Sequence, residues 1–240
     1  MKFKKPKFWD YNKPNILSYL FFPVSLLLTI LKTLKNLTTK KKKYSKIKTI
    51  CVGNIYLGGT GKTSLSLKIN EILKDKIKTC FIKKYYSDQI DEQKILSNHG
   101  KLFKFKDRSS SIKQAIEENF ELAIFDDGLQ DPSIDYDYSI ACFNIDNWIG
   151  NSFTIPAGPL RENIKNLRKY KNVFLNGNNE NIDNIIKFIH NLDPNIKIYQ
   201  GEYVPLNINV FDKSENYLVF SGIGNHKTLS LIHISEPTRL

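Results

Sequence analysis

Gly58-Gly59-Thr60-Gly61-Lys62-Thr63 joins an apolar, β-branched run over Thr49–Ile55 to a helical pattern over Thr63–Leu73. A glycine-rich turn in that position aims successive backbone N–H groups inward at the positive end of the following helix, which makes a nest for phosphate oxygens. Lys62 would reach the β- and γ-phosphates of a nucleoside triphosphate, and Thr63 would offer its hydroxyl to Mg2+. The strict form of the loop has glycine five residues before Gly61, where this chain has Tyr56. A plain glycine-rich turn therefore competes with the phosphate reading, and the strand before and helix after it favour phosphate.

A second group of chemical residues ends another buried-type strand, Leu122-Ala123-Ile124-Phe125-Asp126-Asp127-Gly128. Parallel sheets present ligand groups at strand carboxyl ends, and a magnesium-nucleotide site needs hard oxygen ligands there. Asp-Asp-Gly alone reads as a turn; with the Gly-Lys-Thr loop upstream, Asp126 and Asp127 read as metal partners. Ile155-Pro156-Ala157-Gly158-Pro159-Leu160-Arg161-Glu162 is a rigid turn expected to open a helix. It could hold Arg161 against phosphate oxygens and Glu162 near metal, or be a helix start with a solvated ion pair. Asp91 begins a further helical stretch and fits either a helix cap or a proton acceptor; spacing does not choose.

The elements that must carry these residues alternate strand and helix from residue 48 onward. Strands are expected at Thr49–Ile55, Lys78–Lys83, Leu122–Phe125, Tyr138–Phe143, Val173–Leu175 and Tyr217–Phe220, and helices at Thr63–Leu73, Ser111–Glu118, Leu160–Lys169 and Asn181–Asn191. Short apolar strands without clean alternation fit a mostly parallel sheet covered on both faces, a doubly wound α/β fold of the P-loop NTPase type. At 240 residues and 41% hydrophobic content the chain can bury a real core, which excludes disorder as the default. Cys51, Cys80 and Cys142 each lie inside an apolar run, with neither metal spacing nor an implied disulfide.

Residues 1–48 read as a separate membrane-associating segment. Ile16 to Leu31 is apolar on nearly every face, interrupted by Pro23 and flanked by lysines on both sides. It is slightly short of the roughly 20 residues a bilayer span needs, so insertion, in-plane anchoring and a buried helix all compete. The formal charge of +12 points to an anionic partner, with a phospholipid surface, an acidic substrate and nucleic acid all qualifying.

Taken together, Phe8-Trp9 with the apolar helix, Val52-Gly53-Asn54, the Gly-Gly-Thr-Gly-Lys-Thr loop, Asp91-Glu92, Asp126-Asp127-Gly128-Leu129-Gln130, Pro156 to Glu162 and Ser221-Gly222-Ile223-Gly224-Asn225 resemble the tetraacyldisaccharide 4′-kinases. The resemblance spans roughly residues 8 to 226, and the kinase domain is expected over 49–226. It implies ATP and Mg2+ as cofactors, and phosphorylation of the 4′-hydroxyl of an acylated glucosamine disaccharide 1-phosphate to form lipid IVA in lipid A biosynthesis. It also implies work at the cytoplasmic face of the bacterial inner membrane, the inner-membrane lipid surface being a partner and nucleic acid not. Catalytic roles fall on Asp91 as proton acceptor and on Lys62 and Arg161; nucleotide contacts on Gly58, Gly59, Thr60, Gly61, Lys62 and Thr63; metal contacts on Thr63, Asp126, Asp127 and Glu162. That family's loop also lacks the strict first glycine, so Tyr56 ceases to be an objection.

The chain departs from the family pattern in places. Lys83-Lys84-Tyr85-Tyr86-Ser87 stands where the family has Ser-Arg-Gly-Tyr-Gly, Asp131 where it has histidine, and His226 where it has proline. Residues 227–240 do not match and read as a non-native tail, so a C-terminally shortened chain lacking the family's later histidine is expected. From the residues alone, two rival readings stand: a membrane-associated P-loop ATPase of partitioning or transport type, and a non-enzymatic basic lipid- or nucleic-acid-binding module.

Overall fold

A computed structural model describes residues 5–86 and 89–204. Seven parallel strands form one sheet in the order β3-β2-β4-β1-β5-β6-β7. They are β1 (Lys48–Gly53), β2 (Thr79–Lys84), β3 (Leu102–Phe105), β4 (Leu122–Asp126), β5 (Tyr138–Asn144), β6 (Asn172–Asn176) and β7 (Lys197–Gly201). Helices α2 (Lys62–Leu73), α3 (Ile90–His99), α4 (Arg108–Glu117) and α5 (Ile182–Leu192) connect them, with α1 (Ile16–Thr38) ahead of the sheet. The doubly wound expectation holds.

Continuous apolar runs made the central strands visible. Every residue of β4 is buried, as are four of six in β1, the pattern of strands covered on both faces. Cys51, Cys80 and Cys142 are free and buried within these strands, and burial raises all three thiols, Cys80 to about 12. The chain leaves β1 at the middle of the sheet, builds β2 and β3 on one side, returns through β4, then crosses β1 to build β5, β6 and β7 on the other. The reversal lies at β1, and a doubly wound sheet opens a crevice at the carboxyl ends of strands where its order reverses.

Three local expectations need correction. Pro23 does not break the N-terminal helix, which runs unbroken through it as α1; Asn15 caps it, exchanging hydrogen bonds with Ser18 in a capping box. Leu160–Lys169 is not a helix: the segment opens as an extended turn, and only Ile164–Lys169 forms a short 3-10 helix. The reason is backbone pairing, since Leu57 N–H donates to Pro159 O (2.8 Å) and Arg161 N–H to Ile55 O (2.6 Å). Edge strands β3 and β7 carry polar residues on exposed positions and lack the apolar run that marked the others. The expected strand at Tyr217–Phe220, the motif Ser221–Asn225 and the tail 227–240 lie outside the described residues.

Helix α1 has its faces reversed relative to a soluble helix. Ser18 and Ser25 are buried against the protein, whereas Leu20, Leu27 and Leu31 stand exposed. Ser25 Oγ donates to Thr154 O (2.8 Å) and accepts from Ala157 N–H (2.9 Å); Lys32 Nζ donates to Arg161 O (3.1 Å). Ser18, Ser25, Thr29 and Lys32 thus form one polar stripe at helical spacing. It docks α1 onto the turn that carries Arg161. By length and mean hydropathy, 1.8 over its best window, α1 is sufficient to cross a membrane.

Candidate active site

The phosphate loop leaves β1 at Gly53 and enters α2 at Lys62. Gly61 has φ +84°, a conformation L side chains resist, and a Cβ there would lie 2.7 Å from Asn176 Nδ2. No side chain caps α2, and the start of that helix, Gly61 to Ser64, lines a cavity of about 470 Å3, where the N–H groups of a first helical turn lack intrahelical partners. Gly58, Gly59, Thr60, Gly61, Lys62, Thr63, Asp127 and Arg161 all line that cavity. Buried Asn54 braces the loop, its Nδ2 donating to Gly58 O (3.2 Å).

Tyr56, the residue in place of glycine, does not line that cavity. Its hydroxyl donates to Asp10 (2.5 Å) and accepts from Lys5 Nζ (2.9 Å), tying the loop to the short 3-10 helix Lys7–Asp10. Burial first, then the hydrogen bond and charge of Asp10, push this phenol well above its ordinary range. A side chain pointing out of the nest leaves the nest intact.

Asp126 and Asp127 arrive at the carboxyl end of β4, beside the loop. Asp126 is fully buried; its Oδ2 accepts from Lys83 Nζ (2.6 Å) and Thr63 Oγ1 (3.2 Å), while Oδ1 has no partner among the described residues. Asp127 sits at φ +63°, and its Oδ1 accepts from Arg161 Nη1 (2.7 Å). Burial would raise the Asp127 carboxyl, but the charges of Lys62 and Arg161 outweigh it and hold the group below the usual range.

Arg161 is held by the turn before it. A Cβ on Gly158 would fall 2.4 Å from Phe153 O, so only glycine permits that backbone approach. Beyond Asp127, Arg161 Nη1 also donates to Gln130 Oε1 (3.2 Å), and Gln130 Nε2 donates to Asn54 O (2.7 Å) and Glu162 Oε1 (3.2 Å). Glu162 does not line the phosphate cavity. Its oxygens are taken by Tyr170 Oη (2.6 Å), Gln130 and Asn166 Nδ2 (3.0 Å), and it faces a second cavity of about 480 Å3 against α1. Arg161 borders both cavities.

Asp91 lies exposed in the first turn of α3 and does not itself line the phosphate cavity; its neighbour Glu92 does. Glu92 and Lys83 are functional candidates to which sequence reasoning gave no role. Lys83 is buried at the end of β2, its Nζ bridging Asp126 and Glu92 Oε2 (2.5 Å). Burial alone would lower its ammonium, but the Asp126 charge and the hydrogen bonds to Asp126 and Glu92 raise it. The signal for it was register: Lys83 and Asp126 are partners across β2 and β4, so their side chains share a face. Arg108, bonded to Asp131 (3.0 Å) and to Asp127 O (2.6 Å), was likewise unmarked.

The residues present fit a magnesium nucleotide. Among the described residues no cluster of three or more His, Cys, Asp or Glu is arranged to hold a metal alone, but Mg2+ commonly takes one or two carboxylates together with substrate phosphates. Asp126, bonded to Thr63 through Oδ2 and with Oδ1 unpartnered among the described residues, makes with the Thr63 hydroxyl such a partial set beside the glycine loop.

The sequence model of the family described as "Tetraacyldisaccharide-1-P 4'-kinase" matches residues 17–231. A tetraacyldisaccharide 4'-kinase of Pelagibacter ubique is 60% identical over 229 residues, covering 95% of this chain and 72% of its own. The chain belongs to the tetraacyldisaccharide-1-P 4'-kinase family. A second member, from Rickettsia canadensis, is 34% identical over 244 residues, covering 94% of this chain and 72% of its own. The crystal structure of the "apo" form of LpxK from Aquifex aeolicus in complex with ATP shares the fold, with a TM-score of 0.59 at 19% identity over 87% of each chain. Within this family the phosphate loop, the β4 carboxylates and the Pro-Ala-Gly-Pro-Leu-Arg-Glu turn of the present chain converge on one end of the sheet.

Proposed function

We propose that the protein transfers the γ-phosphoryl group of ATP, as its Mg2+ complex, to the 4′-hydroxyl of tetraacyldisaccharide 1-phosphate, forming lipid IVA in lipid A biosynthesis at the cytoplasmic face of the inner membrane. The observation that carries this reading is the meeting of Lys62, Thr63, Asp127 and Arg161 around one cavity, in a chain of this kinase family. When bound, Mg2+ would supply charge neutralisation at the phosphates. The loop N–H groups and Lys62 bind and orient the β- and γ-phosphates, and Thr63 and Asp126 are the hydroxyl and carboxylate that would hold the metal. Arg161, fixed by Asp127 and Gln130, aims its remaining donors at the transferring group. Glu162 acts through water, since its oxygens already serve Tyr170, Gln130 and Asn166. Asp91 takes the proton of the sugar hydroxyl, an exposed carboxylate one residue from the cavity wall being open to an incoming acceptor.

Membrane work follows from α1. Its exposed leucines face away from the protein while its polar stripe grips the turn bearing Arg161, so an acylated acceptor held in lipid is presented beside the nucleotide. The test is incubation with ATP, Mg2+ and tetraacyldisaccharide 1-phosphate in mixed micelles, using the chain alone and joined to the part of the Pelagibacter relative that the alignment leaves uncovered. A product one phosphoryl group heavier is expected. ATP hydrolysis with no phosphorylated lipid from either form would instead favour a membrane-associated ATPase.

A further inference from the structure

Lys83 occupies an unusual place for a lysine: its side chain is 2% exposed, and its ammonium pairs with two carboxylates, Asp126 Oδ2 at 2.6 Å and Glu92 Oε2 at 2.5 Å. Asp126 lies buried behind Thr63, which lines the phosphate cavity, with one oxygen held by a fixed cation and by Thr63 and the other unpartnered among the described residues. Glu92, on the opposite side, lines the cavity and is 49% exposed. The three groups together carry a net charge of −1: one ammonium against two carboxylates.

We propose that Lys83 is a built-in counter-charge that sets how strongly nucleotide binding depends on Mg2+. It rests on the reading that the cavity takes ATP with Mg2+. A divalent ion on the phosphates beside Asp126 feels the summed charge of this triad, and so do the phosphates, with opposite sign. Removing Lys83 leaves −2, which attracts Mg2+ more and repels metal-free ATP; neutralising Glu92 leaves 0, which does the reverse. Even at the dielectric of bulk water, about 80, one unit charge roughly 6 Å from a divalent ion changes its binding by about tenfold, and a less polar surrounding enlarges the effect. Lys62, Arg161 and Asp127 are unaltered in either variant, so the triad alone changes.

Calorimetric titration of the chain with ATP, in EDTA and across a series of MgCl2 concentrations, tests this without any need for turnover. Glu92→Gln keeps a hydrogen-bond acceptor on a half-exposed side chain and should fold as the parent does. It is expected to bind ATP several-fold more tightly in EDTA and to move the Mg2+ midpoint upward by about tenfold. Lys83→Met is expected to move both quantities the other way. A strut that merely supports the fold would weaken both kinds of binding together, so the opposed signs are the diagnostic readout. Should Lys83→Met fail to fold, Glu92→Gln alone decides: a midpoint within twofold of the parent, or weaker ATP binding in EDTA, overturns the proposal. Absence of ATP binding by the parent under every condition would instead overturn the nucleotide reading of the cavity, and this inference with it.

Discussion

Ser25→Ala should loosen the whole connection between α1 and the active-site turn. Ser25 is 1% exposed, and its single hydroxyl serves both Thr154 O at 2.8 Å and Ala157 N–H at 2.9 Å. Alanine leaves a buried donor and a buried acceptor without their partner, and an unsatisfied buried group costs about 1–3 kcal/mol. The carbonyl loses less because Thr154 lies partly exposed, so the sum comes to about 2–4 kcal/mol, comparable to a large share of a domain's net stability. That cost falls on local opening of residues 151–161. Hydrogen exchange followed by mass spectrometry on a peptide covering that turn, in detergent micelles, should show its protection falling by more than tenfold while β4 and β1 stay protected. Leu27→Ala, on the exposed face, is the matched control and should leave the turn's exchange unaltered. Exchange within twofold of the parent after Ser25→Ala would refute the argument that this hydroxyl holds helix and turn together.

Lys62→Ala should lower phosphoryl transfer by about 10²–10³, the usual worth of one preorganised charge at the transferring group, with circular dichroism unaltered; near-parental turnover would remove Lys62 from the phosphate site. Asp91→Asn should keep ATP affinity, measured by calorimetry, and reduce kcat by roughly 10²–10⁴, because the group acts on the acceptor hydroxyl. Weakened ATP binding with intact kcat would reassign it. Deleting residues 1–31 should move the protein from the membrane to the soluble fraction, whereas a high-salt wash of the intact protein should not, since each surface lysine contributes only about 1 kcal/mol and is screened. Complete release by salt would mean peripheral, electrostatic attachment.

What could be read from the amino-acid order was whatever depended on neighbours along the chain. The glycine loop and the β4 carboxylates announce themselves because a nest and a strand end are local objects. The edge strands did not, since Lys101-Leu102-Phe103-Lys104-Phe105 buries only Phe103 and offers too short an apolar run. Lys83 was invisible as a functional group because its meaning comes from a partner forty-three positions away, set by the register of β2 on β4. The turn before Arg161 misled in the opposite sense: prolines and glycine looked like a helix start, but backbone bonds with the distant Ile55 and Leu57 drew it into an extended path. Glu162, adjacent in sequence to Arg161, turned into a different cavity.

The polar stripe of α1 has a kinetic consequence. Between Ser18 and Lys32 the helix runs about 21 Å at 1.5 Å per residue, and contacts at both of its ends tie it to the protein: Ser18 receives Asn151 Nδ2 at 2.8 Å, and Lys32 reaches the Arg161 carbonyl. A helix gripped at two points cannot swivel freely, so the outward apolar face fixes the tilt and height of the phosphate cavity over whatever lipid surface it meets. The two substrates would then be gathered in different geometries, nucleotide from three-dimensional solution and acylated sugar from a plane. The effective concentration of the second becomes its mole fraction in the lipid, and dilution with inert lipid at constant bulk concentration should slow the reaction as surely as withdrawing ATP.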